Sequence, residues 1–250
     1  MTPTAAIIIL ATSAFTAFLS GIFGMAGGMV LMGVLIALPS VSVASAMVIH
    51  GALQLVANGW RAYLIRGEIA WRVVARYTGG ALLGIAGLLA VTWVPDKRQV
   101  YLILGLVALL VWIPRARLNL DIQRAGDAFS AGALVQGLNT IAGVAGPVLD
   151  VFFINTAMTP QQIVATKSIT QALSHLVKIG FWSVPLILAE GASAFPPAWF
   201  FLAAIPIAMA GTWAGGRVLA RVSAVNFRAW TRWLVTVIGA AMLARAAGVY

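Results

Sequence analysis

The apolar run from Ala5 to Leu38 is too long for one membrane span, and a glycine cluster sits in its middle: Gly21-Ile-Phe-Gly-Met-Ala-Gly-Gly28. Gly21, Gly24, Gly27 and Gly28 weaken a helix at that point, so the chain must break or turn there. About 119 residues later a second copy appears: Gly24-Met-Ala-Gly-Gly-Met-Val is matched by Gly143-Val-Ala-Gly-Pro-Val-Leu. The chain is organised around these two interruptions.

Hydrophobic residues make up 62% of the sequence and charged residues 9%, with a mean hydropathy of +0.99. A soluble domain carries roughly 25% charged residues, so this composition cannot cover a water-facing surface. Several runs reach the roughly 20 residues needed to cross the hydrocarbon core as a helix. They are continuous and do not alternate, which argues against a β-barrel. The net charge of +10 comes from arginines clustered between apolar runs, where the positive-inside rule places them, and not from a nucleic-acid surface. The absence of cysteine excludes disulfides and thiolate metal sites. Met1-Thr-Pro-Thr lacks a basic stretch before the first apolar run, so no cleaved signal peptide is expected.

Taken in order, the expected elements are a helix from Ala5 to about Phe23, a short apolar helix over Met25–Leu38, and a span over Ser42–Trp60. Two more follow at Tyr77–Val94 and Val100–Ile113. The polar loop with Arg115, Arg117, Asp121, Arg124 and Asp127 then divides residues 1–118 from 119–250. The second half repeats the order: Phe129–Ile141, the Gly143–Pro147 break, a short helix over Val148–Ala157, a long span within Gln161–Leu188, then Trp199–Leu219 and Trp233–Ala247.

The arginine-rich loops at 61–76, 115–127 and 217–232 are assigned to the cytoplasm, and the nearly neutral loops at 95–98 and 187–197 to the outside. This works only if each helix–break–helix unit starts and ends on one side, as a re-entrant hairpin or as two crossings. Each half then crosses an odd net number of times, and the halves are inverted repeats, as in many secondary transporters. The fold class expected is an all-α integral membrane protein, a polytopic helical bundle of two inverted repeats, each with a broken or re-entrant helix pair.

Each repeat carries one polar-striped helix after its break. Lys167, Gln171, His175 and Lys178 follow at i, i+4, i+8 and i+11, which is one helical face, and His50, Gln54, Asn58 and Arg61 have the same spacing. Ionisable side chains within a membrane usually face a cavity or a partner. Arg61 reads as a boundary residue and Lys178 as one that snorkels outward. Asp150 is the one acid in an expected membrane helix, where it pairs with Lys167 or takes part in proton coupling. Asn139, Thr140 and Asn155 flank the second break, as cavity lining or as ties between helices. Helices starting at Gly28 and at Pro147 direct free N–H groups inward, a field suited to an anion.

The first glycine cluster, its short apolar helix closed by Pro39, and a weaker second copy after a basic loop resemble the sulfite exporter TauE/SafE family over essentially the full chain. The resemblance implies a polytopic transporter of small anions, notably sulfite, sulfonates and related sulfur compounds, in the bacterial cytoplasmic membrane, with proton-linked movement. The chain departs from the family pattern at Met29, where a third small residue is often found, and at Pro147, in place of the second glycine.

The site expected is formed by Gly27, Gly28, His50, Gln54, Gly146, Pro147, Lys167, Gln171 and His175, with His50, His175 or Asp150 able to carry a coupled proton or form an ion pair. No metal or other cofactor is expected, and the partners are a small anion and the lipid bilayer, with assembly as a homo-oligomer left open. The alternative reading is a passive anion channel with the same cavity. A nucleophile–base pair, an HExxH motif and paired acids are all lacking, so an enzyme is not expected.

Overall fold

The computed structural model describes residues 2–23, 26–90, 94–114, 118–153, 155–219, 221 and 224–249, with the side chains of 224–229 left aside. Met1, Gly24 and Met25, Arg115 and Arg117, and the Arg228 side chain lie outside the described residues. Ten helices are described: α1 (Pro3–Phe23), α2 (Ala26–Ala37), α3 (Val43–Leu64), α4 (Trp71–Leu89), α5 (Lys97–Ala108), α6 (Ala125–Ala142), α7 (Gly146–Phe152), α8 (Pro160–Glu190), α9 (Ala198–Leu219) and α10 (Ala224–Ala246). Among the described residues there is no strand.

Local chemistry sets several of the helix ends. Pro39 follows α2, and the Ser42 side chain accepts from the Ser45 N–H at 3.1 Å to start α3. Asp96 with Gln99, and Thr159 with Gln162, form reciprocal capping boxes at the starts of α5 and α8. Gly143 closes α6 in the left-handed region at φ 81°, its N–H bonded to the Asn139 carbonyl. A β-carbon there would also stand 2.7 Å from Met32 Cε, so both backbone and packing call for glycine.

Several boundaries differ from those expected. α4 and α10 begin earlier, at Trp71 and Ala224, because arginines end a hydropathy run without ending a helix. α7 stops at Phe152, short of the expected Ala157. Past it, Asn155 Nδ2 donates to the carbonyls of Leu118 and Leu120, and the Ile122 N–H to the Phe152 carbonyl at 2.8 Å. The mid-chain loop therefore holds this segment out of helix.

Four helix pairings build the bundle: α1 on α9, α4 on α6, α3 on α8, and α5 on α10. In the first two, glycines let backbones touch. A β-carbon on Gly132 would overlap the Tyr77 carbonyl, and one on Gly80 the Phe129 carbonyl. Across α1 and α9, one on Gly21 would stand 2.6 Å from the Thr212 carbonyl. α2 is apolar all round and is correspondingly enclosed, with Met29, Leu31, Met32, Leu35 and Ile36 buried. It sits in a core with Met47 and Ile49 of α3 and Leu104 of α5, while a second core joins Tyr77, Val135, Leu149 and Phe152.

The periphery is apolar: Ile7, Phe15, Leu82, Leu83, Leu188, Leu202 and Val237 are all exposed. Among the described residues, three helical segments are long and apolar enough to cross a membrane, Pro3–Phe23, Pro160–Glu190 and Ala192–Leu219, and Ala26–Ala37 is a shorter apolar helix. A chain with this surface is a multi-pass membrane protein.

Candidate functional site

The C-terminal ends of α1 and α9, the start of α2, the second half of α3 and the first half of α8 enclose a cavity of about 820 Å³. The two polar-striped helices, α3 and α8, pack on each other and both line it. Of the residues expected at a site, Gly28, His50, Gln54, Gly146, Lys167, Gln171 and His175 line this cavity. Gly27 and Pro147 do not. Successive helical residues point about 100° apart, and Gly27 faces α1, where a β-carbon would overlap the Thr16 carbonyl. Pro147 is buried in the first turn of α7. Asp150 stands behind the wall as the ion-pair partner of Lys167.

The lining is cationic. Arg61, Lys167 and Arg217 contribute to it, and among the described residues no aspartate or glutamate does. Arg61 donates to the Ser20 carbonyl at the end of α1, and the Arg217 guanidinium lies 3.8 Å from the centre of the Trp213 ring. Sequence reasoning placed both arginines at the membrane boundary and overlooked Ser20 and Thr212. Three buried polar atoms on lining residues have no protein partner: Gln171 Nε2, Ser20 Oγ and Thr212 Oγ1. All three atoms are sealed from the cavity space itself, and Ser20 Oγ lies against Gly27 of α2, so they stand in the wall behind its surface.

At the inner end the two histidines meet with ring centres 5.5 Å apart. Asn139 Nδ2 lies 3.4 Å from His175 Nδ1 and donates to it, which leaves Nε2 as the N–H of that ring. His50 Nε2 lies 3.0 Å from the Gly28 carbonyl, so its proton is on Nε2. Its Nδ1 accepts from Lys178 Nζ at 2.8 Å, and Nζ also donates to the Gly143 carbonyl at 2.9 Å. Lys178 thus does not snorkel outward: it is fully buried, turned inward by acceptors at the end of α6. Thr140 receives the Gln136 amide at 3.0 Å on its hydroxyl and Trp182 Nε1 at 2.8 Å on its carbonyl.

The lining runs no further along α3 than His50 and no further along α8 than His175. Beyond them lie the buried side chains of Met47, Ile49, Lys178 and Trp182. The cavity is therefore open at the arginine-bearing ends of α3 and α9 and closed at depth.

A search of curated proteins and a search of solved structures each return no match. A family profile, that of the sulfite exporter TauE/SafE, does match, over residues 9–242. That stretch takes in every residue of the cavity wall and nearly all of the helical bundle, and on it the chain belongs to the sulfite exporter TauE/SafE family of membrane transporters.

Proposed function

We propose that the protein is a secondary transporter, an exporter of small anions such as sulfite, sulfonates and related organosulfur compounds, in the bacterial cytoplasmic membrane. It works by alternating access with proton-linked movement. The observation that carries this reading is the cavity: three cationic side chains line it, among the described residues no carboxylate does, and it ends blind between the histidines. A desolvated pocket of one charge sign concentrates the opposite ion. Closure at depth favours a carrier over an open channel. Gly28, Gln54, Gly146, Gln171 and His175 supply the inner contacts, and Gly27 and Pro147 shape the backbone behind them.

Two inverted repeats, 1–118 and 119–250, suit this mechanism. The helix pairing supports them. Exchanging α1–α5 for α6–α10 turns the α1–α9 contact into α6–α4, and leaves α3–α8 and α5–α10 unchanged. With the arginine-rich loops in the cytoplasm, the cavity faces inward.

Thermal stabilisation of purified protein by sulfite, thiosulfate, sulfonates, sulfate and carboxylates tests the reading, since a ligand specific to the native state stabilises by RT ln(1 + [L]/Kd). A shift with sulfite or a sulfonate, absent with potassium or a neutral solute, is the expected result. No shift with any of these anions overturns it.

A further inference from the structure

Behind the inner end of the cavity a hydrogen-bonded chain joins the start of α2 to the second helix break through side chains. It runs from the Gly28 carbonyl to His50 Nε2 at 3.0 Å, from His50 Nδ1 to Lys178 Nζ at 2.8 Å, and from Nζ to the Gly143 carbonyl at 2.9 Å. Gly28 lies in the first turn of α2, just after the first break, and Gly143 opens the second. Each link crosses between elements: α2 to α3, α3 to α8, and α8 to the end of α6.

We propose that Lys178 and His50 together hold the proton that the transport cycle moves, and that losing this proton releases the tie between the start of α2 and the second break. The inference rests on the transport reading above and assigns its coupling site.

The ammonium has no carboxylate among the described residues; the acid nearest in role, Asp150, is taken by Lys167. Its compensation is the carbonyl end of α6, where a cation is favoured. That is partial charge against a full one in a buried site, a balance that lets the proton leave. The surroundings offer few competitors. His50 faces it from α3 and His175 shares α8, and the residues that α6 brings to this region, Gln136, Asn139 and Thr140, are uncharged. Tyr77 of α4 is engaged with Ser174 at 2.8 Å. Gly51 makes the room: a β-carbon there would stand 3.3 Å from Lys178 Cε and 2.7 Å from Ile179 Cγ1.

His50 belongs to the cavity wall, with its ring fully buried in this state, and Lys178 lies behind it, so the exit runs through the imidazole. An Nζ–H bond breaks as an Nδ1–H bond forms, giving a transient imidazolium. The imidazolium then turns its Nε2–H from the Gly28 carbonyl toward the cavity, and that proton passes to water. Lys178 is left as a neutral amine accepting from Nδ1–H, and one positive charge has left the site. Nε2 now bears a lone pair that repels the Gly28 carbonyl oxygen, so that hydrogen bond stays broken and the first turn of α2 is untied from α3. Protonation from either side runs the steps backward.

The chain has only two histidines, which makes the scheme directly observable. Nitrogen NMR of histidine-labelled wild-type protein is expected to show both rings as Nε2–H tautomers at mildly acidic pH and one switching to Nδ1–H as pH rises. The His175→Asn variant identifies that ring as His50. Two unchanging tautomers overturn the relay, and this arm needs no Lys178 variant to fold.

Proteoliposomes test the coupling, with radiolabelled sulfite and methanesulfonate as probes; the charge of the latter does not change with pH. Lys178→Gln is expected to keep anion counterflow, which moves no net proton, within about twofold of wild type. It should lose accumulation driven by a pH gradient by roughly tenfold or more, which is about 1.4 kcal/mol or more of lost drive. Wild-type accumulation in that variant overturns the proposal while leaving the transporter reading intact. No counterflow of either probe in the wild type overturns the transporter reading and the coupling role together.

Discussion

Lys167 shows how one side chain decides the sign of the cavity. It lines the wall and is paired to Asp150 behind it, with both side chains partly exposed. Lys167→Ala removes a cation and leaves a carboxylate unpaired beside the anion's path. Sulfite binding is expected to weaken by roughly tenfold or more, since losing one partner of a charge pair also leaves the other uncompensated. Removing both, Lys167→Ala with Asp150→Ala, is expected to recover part of that loss. Isothermal titration of the two variants checks the order, and a double variant weaker than the single one contradicts it. A second case is Trp182, whose indole N–H meets the Thr140 carbonyl at 2.8 Å in a buried site. Trp182→Phe should lower stability by about 1–3 kcal/mol through the unpaired carbonyl and lost packing, read as a lower Tm in detergent.

At the scale of elements, the glycine faces set how closely helices approach. Gly132 and Gly137 make a controlled pair on α6. A β-carbon on Gly132 would overlap the Tyr77 carbonyl of α4, whereas one on Gly137 meets nothing within 4 Å. Gly132→Ala is expected to destabilise by about 1–3 kcal/mol as overpacking. Gly137→Ala should stabilise by about 0.5–1 kcal/mol, because alanine loses less backbone freedom in a helix. Thermal unfolding of both variants reads the two signs.

The same scale shows what was legible in the residues alone. Both breaks stood out because glycine interrupts apolar runs, and both polar stripes because a helix repeats its faces, so seven cavity residues could be named from spacing. Depth and partner were not legible. Lys178 belongs to the Lys167 stripe by spacing, yet its inward turn depends on Gly51 of α3 and the end of α6, both remote in sequence. Gly27 and Gly28 are neighbours that look alike in a string, and only the packing of α1 shows which one faces the cavity. Arg217 reads as a boundary charge until α9 is set beside α3.

For the whole molecule, alternating access makes a prediction about sides. Asn58 lines the open cavity and is half-buried, and Asn139, before the second break, is fully buried. The chain has no cysteine, so single cysteines can be introduced without a background. Asn58→Cys is expected to react with an impermeant maleimide added at the arginine-rich face. Asn139→Cys should react from the opposite face, and faster during turnover. Labelling of Asn139→Cys from the arginine-rich face would contradict an inverted pair of gates.

The size of the cavity has a pharmacological side. About 820 Å³ lies within the range, roughly 300–1,000 Å³, that holds drug-sized ligands, far more than an inorganic oxyanion fills. An aromatic sulfonate can set its anionic group among Arg61, Lys167 and Arg217 and its ring against Phe23, Leu149 and Trp213. Too bulky to pass the histidines, such a compound would act as a one-sided poison, blocking from the arginine-rich face and inert from the other.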